Sequence, residues 1–267
     1  MKAYDKVQAV RSNDRPTAVS YIKELFSTPF ELHGDRRFGD DPAIIGGIAC
    51  LGKMPVTYIA VERGNDTQSR IYRNFGCPKP EGYRKALRLM KQAEKFSRPV
   101  VCLVDTAGAF CGEDAEERGQ GQAIAENLME MMGLRTPVIS VVIGEGGSGG
   151  ALGLAAADKV YMLENAVYSV ISPEGCAGIL WKDAQKAPEA AEFLRITAED
   201  MVKFGVAERI VGEDFKHFRN MCKVMKSQLL EDFTALNAVP ADTLLLNRYN
   251  RFRKIGEFSE RIKKNSQ

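Results

Sequence analysis

The sequence predicts an α/β fold in which helices cover a layered sheet. Two runs, PVVCLVDT (99–106) and PVISVVIG (137–144), are apolar on both faces, as strands inside a sheet are. Amphipathic segments of helical period lie between the apolar runs. Strand and helix alternate along the chain instead of being grouped.

Taken in order, residues 1–30 read as a helical lead-in. Residues 43–50 (AIIGGIAC) and 56–62 (VTYIAVE) pair as strands around the turn Gly52-Lys53. Residues 80–96 form an amphipathic helix with Tyr83, Leu87, Met90 and Ala93 on its inner face. After the buried strand 99–106, a second helix starts near Asp114, where Asp114 and Glu117 have capping-box-like spacing. Its inner stripe is Ile124, Leu128 and Met131. The strand 137–144 runs into the small-residue segment GEGGSGGALGLAAAD, and KVYMLE (159–164) is a further strand. The remainder is mostly helical and ends in a C-terminal helical extension over 215–267. With no repeat and no Ser/Gly/Pro-rich linker, residues 1–267 read as one domain.

Composition narrows the function classes. The chain is 45% hydrophobic and 27% charged, enough apolar mass for a sizeable core. A net charge of +2 supplies no global field to recruit nucleic acid or membrane. The opening MKAYDKVQAVRSNDRPT has no apolar stretch of the signal-peptide kind, and no run approaches a membrane span, so a cytoplasmic chain is expected. The six cysteines form no CxxC pair and read as reduced thiols, with no metal site expected.

The densest chemical signal is Gly144-Glu145-Gly146-Gly147-Ser148-Gly149-Gly150, between a buried strand and a helix. Three readings compete. As Gly144-x-Gly146-x-x-Gly149, with Glu164 twenty positions after Gly144, it fits a dinucleotide fingerprint, although it lies mid-chain. As Gly146-x-Ser148-x-Gly150 it fits a nucleophile elbow, but Ser148 would need a base and the chain has only two histidines, His33 and His217. The third reading uses no side chain. Glycines at a strand-to-helix turn admit a substrate to the backbone, and the first helical amides stabilise an oxyanion. A second loop, Asp105-Thr106-Ala107-Gly108-Ala109-Phe110, follows the other buried strand and offers a neighbouring wall or amide, or else a plain turn.

Residues 64–98 hold nine Lys/Arg against three Asp/Glu, and Arg84, Arg88, Lys91 and Lys95 follow helical spacing. This basic stripe is either a solvated face or an attractor for a phosphate-bearing ligand or an acidic protein surface. Glu116 and Glu117 are explained by the helix dipole, whereas Glu145 lies in the glycine loop and is the better candidate for a polar site role.

Four segments resemble one family: GEGGSGGAL, YSVISPEGCAGILWKDAQKAPEAAE, AEERGQ and NFGCPKPEGYRKALRLM. Together they are similar to the carboxyltransferase alpha subunits of bacterial acetyl-CoA carboxylase, over a stretch from about Arg15 to near Arg251. The resemblance implies a crotonase-like fold of repeated ββα units. It implies transfer of a carboxyl group from carboxybiotin, on a biotin carboxyl carrier protein, to acetyl-CoA, giving malonyl-CoA for fatty acid synthesis. It implies a zinc-ribbon beta subunit that binds acetyl-CoA, an alpha2beta2 assembly, and no metal in this chain. The family pattern assigns the biotin oxyanion to the backbone amides that match Gly149 and Gly150; beside them, Gly146, Gly147 and Ser148 of the same segment and Gly108 and Ala109 of the second loop are read as substrate contacts.

Two departures stand out. Many relatives have DTPGAYPG where this chain has DTAGAFCG, which changes the loop at Ala107, Phe110 and Cys111. The helical N-terminal extension of many relatives is expected to be short or missing here. The alternative is a self-sufficient enzyme: a crotonase-fold CoA hydratase or lyase, a Ser148 hydrolase, or a nicotinamide dehydrogenase.

Overall fold

The computed structural model describes residues 1–257; the last ten positions of the expected C-terminal extension, 258–267, lie outside the described residues. Helices α1 (Ala3–Val10) and α2 (Ala18–Leu25) open the chain, and strand β1 (Ser27–Glu31) follows before residue 30 is passed. Strands β2 (Ile44–Leu51) and β3 (Met54–Val61) pair antiparallel, in register from Ile44–Val61 to Leu51–Met54. Gly52 takes a positive φ of 66° in the turn between them, where a residue with a Cβ would be strained. Then come the short α3 (Thr67–Tyr72), α4 (Pro80–Lys95) and β4 (Val100–Thr106). They lead to α5 (Glu113–Glu117), α6 (Gln120–Gly133), β5 (Val138–Gly147) and α7 (Ser148–Ala155). The C-terminal part runs β6 (Lys159–Leu163), β7 (Val167–Ser169), α8 (Pro173–Trp181), α9 (Ala187–Leu194), α10 (Ala198–Lys203), β8 (Arg209–Val211), α11 (Phe218–Asn237) and α12 (Ala241–Lys254).

One sheet holds eight strands in the order β1-β2-β3-β4-β5-β6-β8, with β7 paired to the far end of β5. The first two pairings are antiparallel and those from β3 to β8 are parallel. Every residue of β4 is buried, as is β5 from Val138 to Gly144, which is what helices on both sides of a parallel sheet produce. Helix α4 lies beside α6 and α6 beside α7, while α2 packs on α11 through an edge-to-face contact of Tyr21 and Phe218.

Helix registers differ from the sequence reading in an instructive way. In α4 the fully buried positions include Ala86, Leu89 and Met90, and Leu87 is only half-buried. The helix expected to start at Asp114 is two helices, because Gly119 takes φ 80° and breaks it. Asp114 does not cap; its carboxylate pairs with Lys79 at 3.0 Å and with Arg118. The inner stripe of α6 is Ala123, Asn127 and Met131: Met131 is as expected, while Ile124 and Leu128 give way to the residues just before them. The shift puts the polar Asn127 inside, where its Nδ2 donates to the Gly153 carbonyl at 3.1 Å. Strands β1, β7 and β8 were not legible: β1 is exposed throughout, and the other two are three residues long.

Candidate active site

The parallel strands β4 and β5 end side by side, and two backbone segments leave them: the turn Asp105–Phe110 and the segment Gly144–Gly150. Thr106 shapes the first turn; its Oγ1 accepts from Gly108 N–H at 3.0 Å and donates to the Gly108 carbonyl at 2.7 Å. The two segments touch through backbone. A Cβ on Gly147 would collide with the Ala107 carbonyl, and one on Gly150 would lie 2.5 Å from the Ala109 nitrogen. Glycine is therefore a steric requirement at these positions. Gly149 differs, since the nearest atom to a Cβ there would be Ile124 Cγ2 at 3.7 Å.

Ser148 turns the chain into α7 with φ 51°, a left-handed conformation that costs a side-chain-bearing residue about 1–2 kcal/mol. Gly149 and Gly150 are the second and third residues of α7, so their N–H groups lie in the first turn, where a helix supplies no internal acceptor and its dipole is positive. Three buried side chains hold the carbonyls of this helix: Tyr83 to Gly150 at 3.0 Å, Asn127 to Gly153, and Ser140 to Leu154 at 2.6 Å. Sequence reasoning missed all three. Ser140 had a visible signal, a lone polar residue in an apolar run.

The polar surroundings come from distant parts of the chain. Glu145 is not free for catalysis: its Oε1 accepts from Arg11 at 2.8 Å, and the same guanidinium reaches Glu174 at 2.9 Å. Beneath the segment, Arg15 donates to the Ile143 carbonyl at 2.9 Å and pairs with buried Glu213 at 2.7 Å. Asp105 accepts from Glu145 N–H at 2.9 Å. Burial outweighs the Arg63 charge beside it and pushes the Asp105 carboxyl up to about 6.

A cavity of about 640 Å³ opens beside Ser148 and Gly149. Its walls are mostly apolar, among them Leu152, Met201, Phe204 and Phe252, and Arg195 and Arg251 stand on its rim. Both arginines are engaged, with Asp200 and Glu208 respectively. Gly146 and Gly147 face a second, narrow recess with Ala107 and Arg11. Of the expected site residues, then, Ser148 and Gly149 face the large cavity, and Gly150 packs against Gly108 and Ala109. Neither histidine lines the cavity: His217 bonds Asp214 and His33 bonds Asp40. The dinucleotide reading gains no support from its acid, since Glu164 lines neither the large cavity nor the narrow recess. Among the described residues no group of His, Cys, Asp and Glu is arranged for a metal ion, and no helix is long and apolar enough to cross a membrane.

The fold is crotonase-like and is shared with solved multi-subunit enzymes. Transcarboxylase 12S superposes with a TM-score of 0.69 at 18% identity, over 86% of this chain and 44% of that one. A Pseudomonas malonate decarboxylase hetero-tetramer solved with coenzyme A gives 0.65 at 19% identity, over 81% of this chain and 89% of its own. Residues 1–256 match the family model described as acetyl co-enzyme A carboxylase carboxyltransferase-like, and the chain belongs to that family. The acetyl-coenzyme A carboxylase carboxyl transferase subunit alpha of Ruminiclostridium cellulolyticum is 55% identical over 260 residues, covering 97% of this chain and 100% of that one.

Proposed function

We propose that this chain is the alpha half of an acetyl-CoA carboxytransferase, which moves a carboxyl group from carboxybiotin to acetyl-CoA and is active only with a beta subunit. The observation that carries the reading is the α7 N-terminus, which begins where two strand ends meet, with Ser148 and Gly149 lining an apolar cavity that neither histidine lines. Such a site stabilises a developing oxyanion and has no side-chain base of its own.

The residues present fit biotin. The cavity accepts an apolar fused ring, and the first-turn amides suit a ureido oxygen that gains negative charge. Bound on its carrier protein, carboxybiotin supplies the carboxyl group. The chain's own part is positional. Ser148 and Gly149 present backbone at the cavity mouth, Gly150 is clamped against Ala109, and Tyr83, Asn127 and Ser140 keep α7 from shifting. Amides fixed in advance need no reorganisation as charge develops.

The acetyl-CoA side, with its zinc ribbon, is assigned to the beta subunit, in an alpha2beta2 assembly in the cytoplasm. Exposed Val170, Ile179, Leu180 and Phe193 on and near α8 and α9 supply an apolar surface for such a partner. A Ser148 hydrolase is not favoured: the φ of Ser148 resembles that of a nucleophile elbow, yet no histidine lines its cavity.

The test is malonyl-CoA-dependent carboxylation of free biotin, assayed with the chain alone and after mixing with its cognate beta subunit. Activity that arises only in the mixture supports a shared site. No activity with a folded cognate partner overturns the assignment.

A further inference from the structure

A site made of backbone needs something to fix the distance between its two segments. Here one carboxylate does so. Asp105 begins the first turn, is 4% exposed, and extends its side chain across to the second segment. Its Oδ1 accepts from Glu145 N–H at 2.9 Å, and a Cβ on Gly144 would collide with the carboxylate. Its Oδ2 lies 3.2 Å from Arg63 Nε, a charge contact without hydrogen-bond alignment, since that nitrogen has no hydrogen-bond partner among the described residues. Arg63 is itself tied down by its Nη2, which donates to the Ser12 carbonyl at 3.1 Å.

Resting on the reading of Gly149 and Gly150 as oxyanion donors, we propose that Asp105 is the positioning residue of the site. Its ionised carboxylate, held by Arg63, sets the spacing of the two segments and so the aim of those amides. An ionised acceptor binds the Glu145 N–H more strongly than a neutral acid does, and protonation leaves the buried Arg63 charge uncompensated. Four groups face Asp105. Arg63 and Arg15 favour its ionised form, Glu145 opposes it, and Tyr21 lies near as a neutral phenol. With the carboxyl raised to about 6, the ionised form that aims the amides gives way to the neutral acid as pH falls through that value, and turnover should fall with it.

The experiment uses the complex of the full chain with its cognate beta subunit and measures biotin carboxylation across pH for wild type, Asp105→Asn and Arg63→Gln. Asparagine keeps the size and an acceptor but cannot ionise. Its kcat should fall by about 10- to 100-fold with little change in the KM for biotin, and the acid limb near pH 6 should vanish. Arg63→Gln removes a charge that lowers the Asp105 pKa, so its acid limb should move to higher pH. Amide exchange over residues 144–152 reads the same order without turnover, in the chain alone. It should be about 10-fold faster in Asp105→Asn than in wild type at the same pH. A wild-type complex without activity sinks the functional reading alone, and the exchange measurement still decides the role of Asp105. Unchanged exchange in a folded Asp105→Asn chain, or wild-type kcat and acid limb in that variant, overturns the inference, as does an acid limb that stays put in Arg63→Gln.

Discussion

The outer face of α4 and the glycine segment after β5 are the two regions where the sequence signals chemistry most loudly, and they resolve in opposite directions. The α4 face carries four cations at helical spacing, the usual appearance of a surface for an anionic ligand. Three are held by polar partners in the fold, and the fourth, Lys95, is exposed. Arg84 pairs with Asp35 at 2.7 Å and with Glu81, Arg88 donates to the Gly34 carbonyl at 3.0 Å, Lys91 reaches Glu130 at 2.6 Å, and Lys95 lies over the Phe96 ring. The first three pin the loop after β1 and the neighbouring helix. The glycine segment has one charged residue, itself paired, and two backbones so close that side chains are excluded. Charge spacing in a sequence shows where pairs can form. Runs of glycine show where something must come near, and only the second turned out to mark an open cavity.

The sharpest way to break this contrast is to add one methyl group. Gly150→Ala places a Cβ 2.5 Å from a backbone nitrogen that cannot swing aside. It should lower stability by about 1–3 kcal/mol, and turnover of the folded fraction by about 100-fold as the amide shifts. Gly149→Ala is the control, with 3.7 Å to its nearest neighbour. Its unfolding free energy should stay within about 0.5 kcal/mol of wild type, while biotin carboxylation drops. Equal destabilisation of the two variants in chemical denaturation would mean that the site's geometry is misplaced.

On the other side of the comparison, Arg84→Met should behave as a purely structural change. The Asp35 side chain is fully buried and loses its cation, at a cost of about 3 kcal/mol. Asp35 keeps backbone donors from Arg37, Phe38 and Gly39, and Glu81 keeps Arg118, so the fold should survive. The KM values for CoA substrates should be unchanged in the assembled enzyme. A selective rise in the KM for CoA substrates with unchanged stability would restore the ligand-surface reading of this face.

These outcomes also mark how far the sequence could be read. Local signals were sufficient for the hairpin at Gly52, for α4 and for the two buried strands, because each is encoded by its own residues. In α6, Met131 is inside as its period suggests, but two of the three positions shift by one because hydrophobicity favours Ile124 and Leu128, whereas the fold needs Asn127 to hold α7. Strand β7 exists only because β5 continues through Gly147 and offers it an edge, a fact about pairing that no three-residue window contains. Within the site, the glycines were legible and their supports were not. Arg11 meets Glu145 across 134 positions, and Asp105 meets Glu145 across 40. Proximity of that kind is made by the sheet.

The smallest expected effect is the one that best separates backbone from side-chain chemistry. Ser148 stands exposed at the cavity mouth with φ 51°. If its hydroxyl were a nucleophile, Ser148→Ala would abolish turnover. If the α7 amides carry the site, alanine leaves every donor in place, and turnover should stay within about 3-fold of wild type, below about 1 kcal/mol in barrier. Ser148→Gly sharpens the point. Glycine accepts the left-handed turn without penalty in the folded state but loses more chain entropy on folding, so the melting temperature should change little or rise slightly. An inert hydroxyl on a strained residue is then accounted for by geometry alone. The turn swings the chain into α7 at the cavity mouth, and on this reading the residue that makes the swing contributes only its backbone.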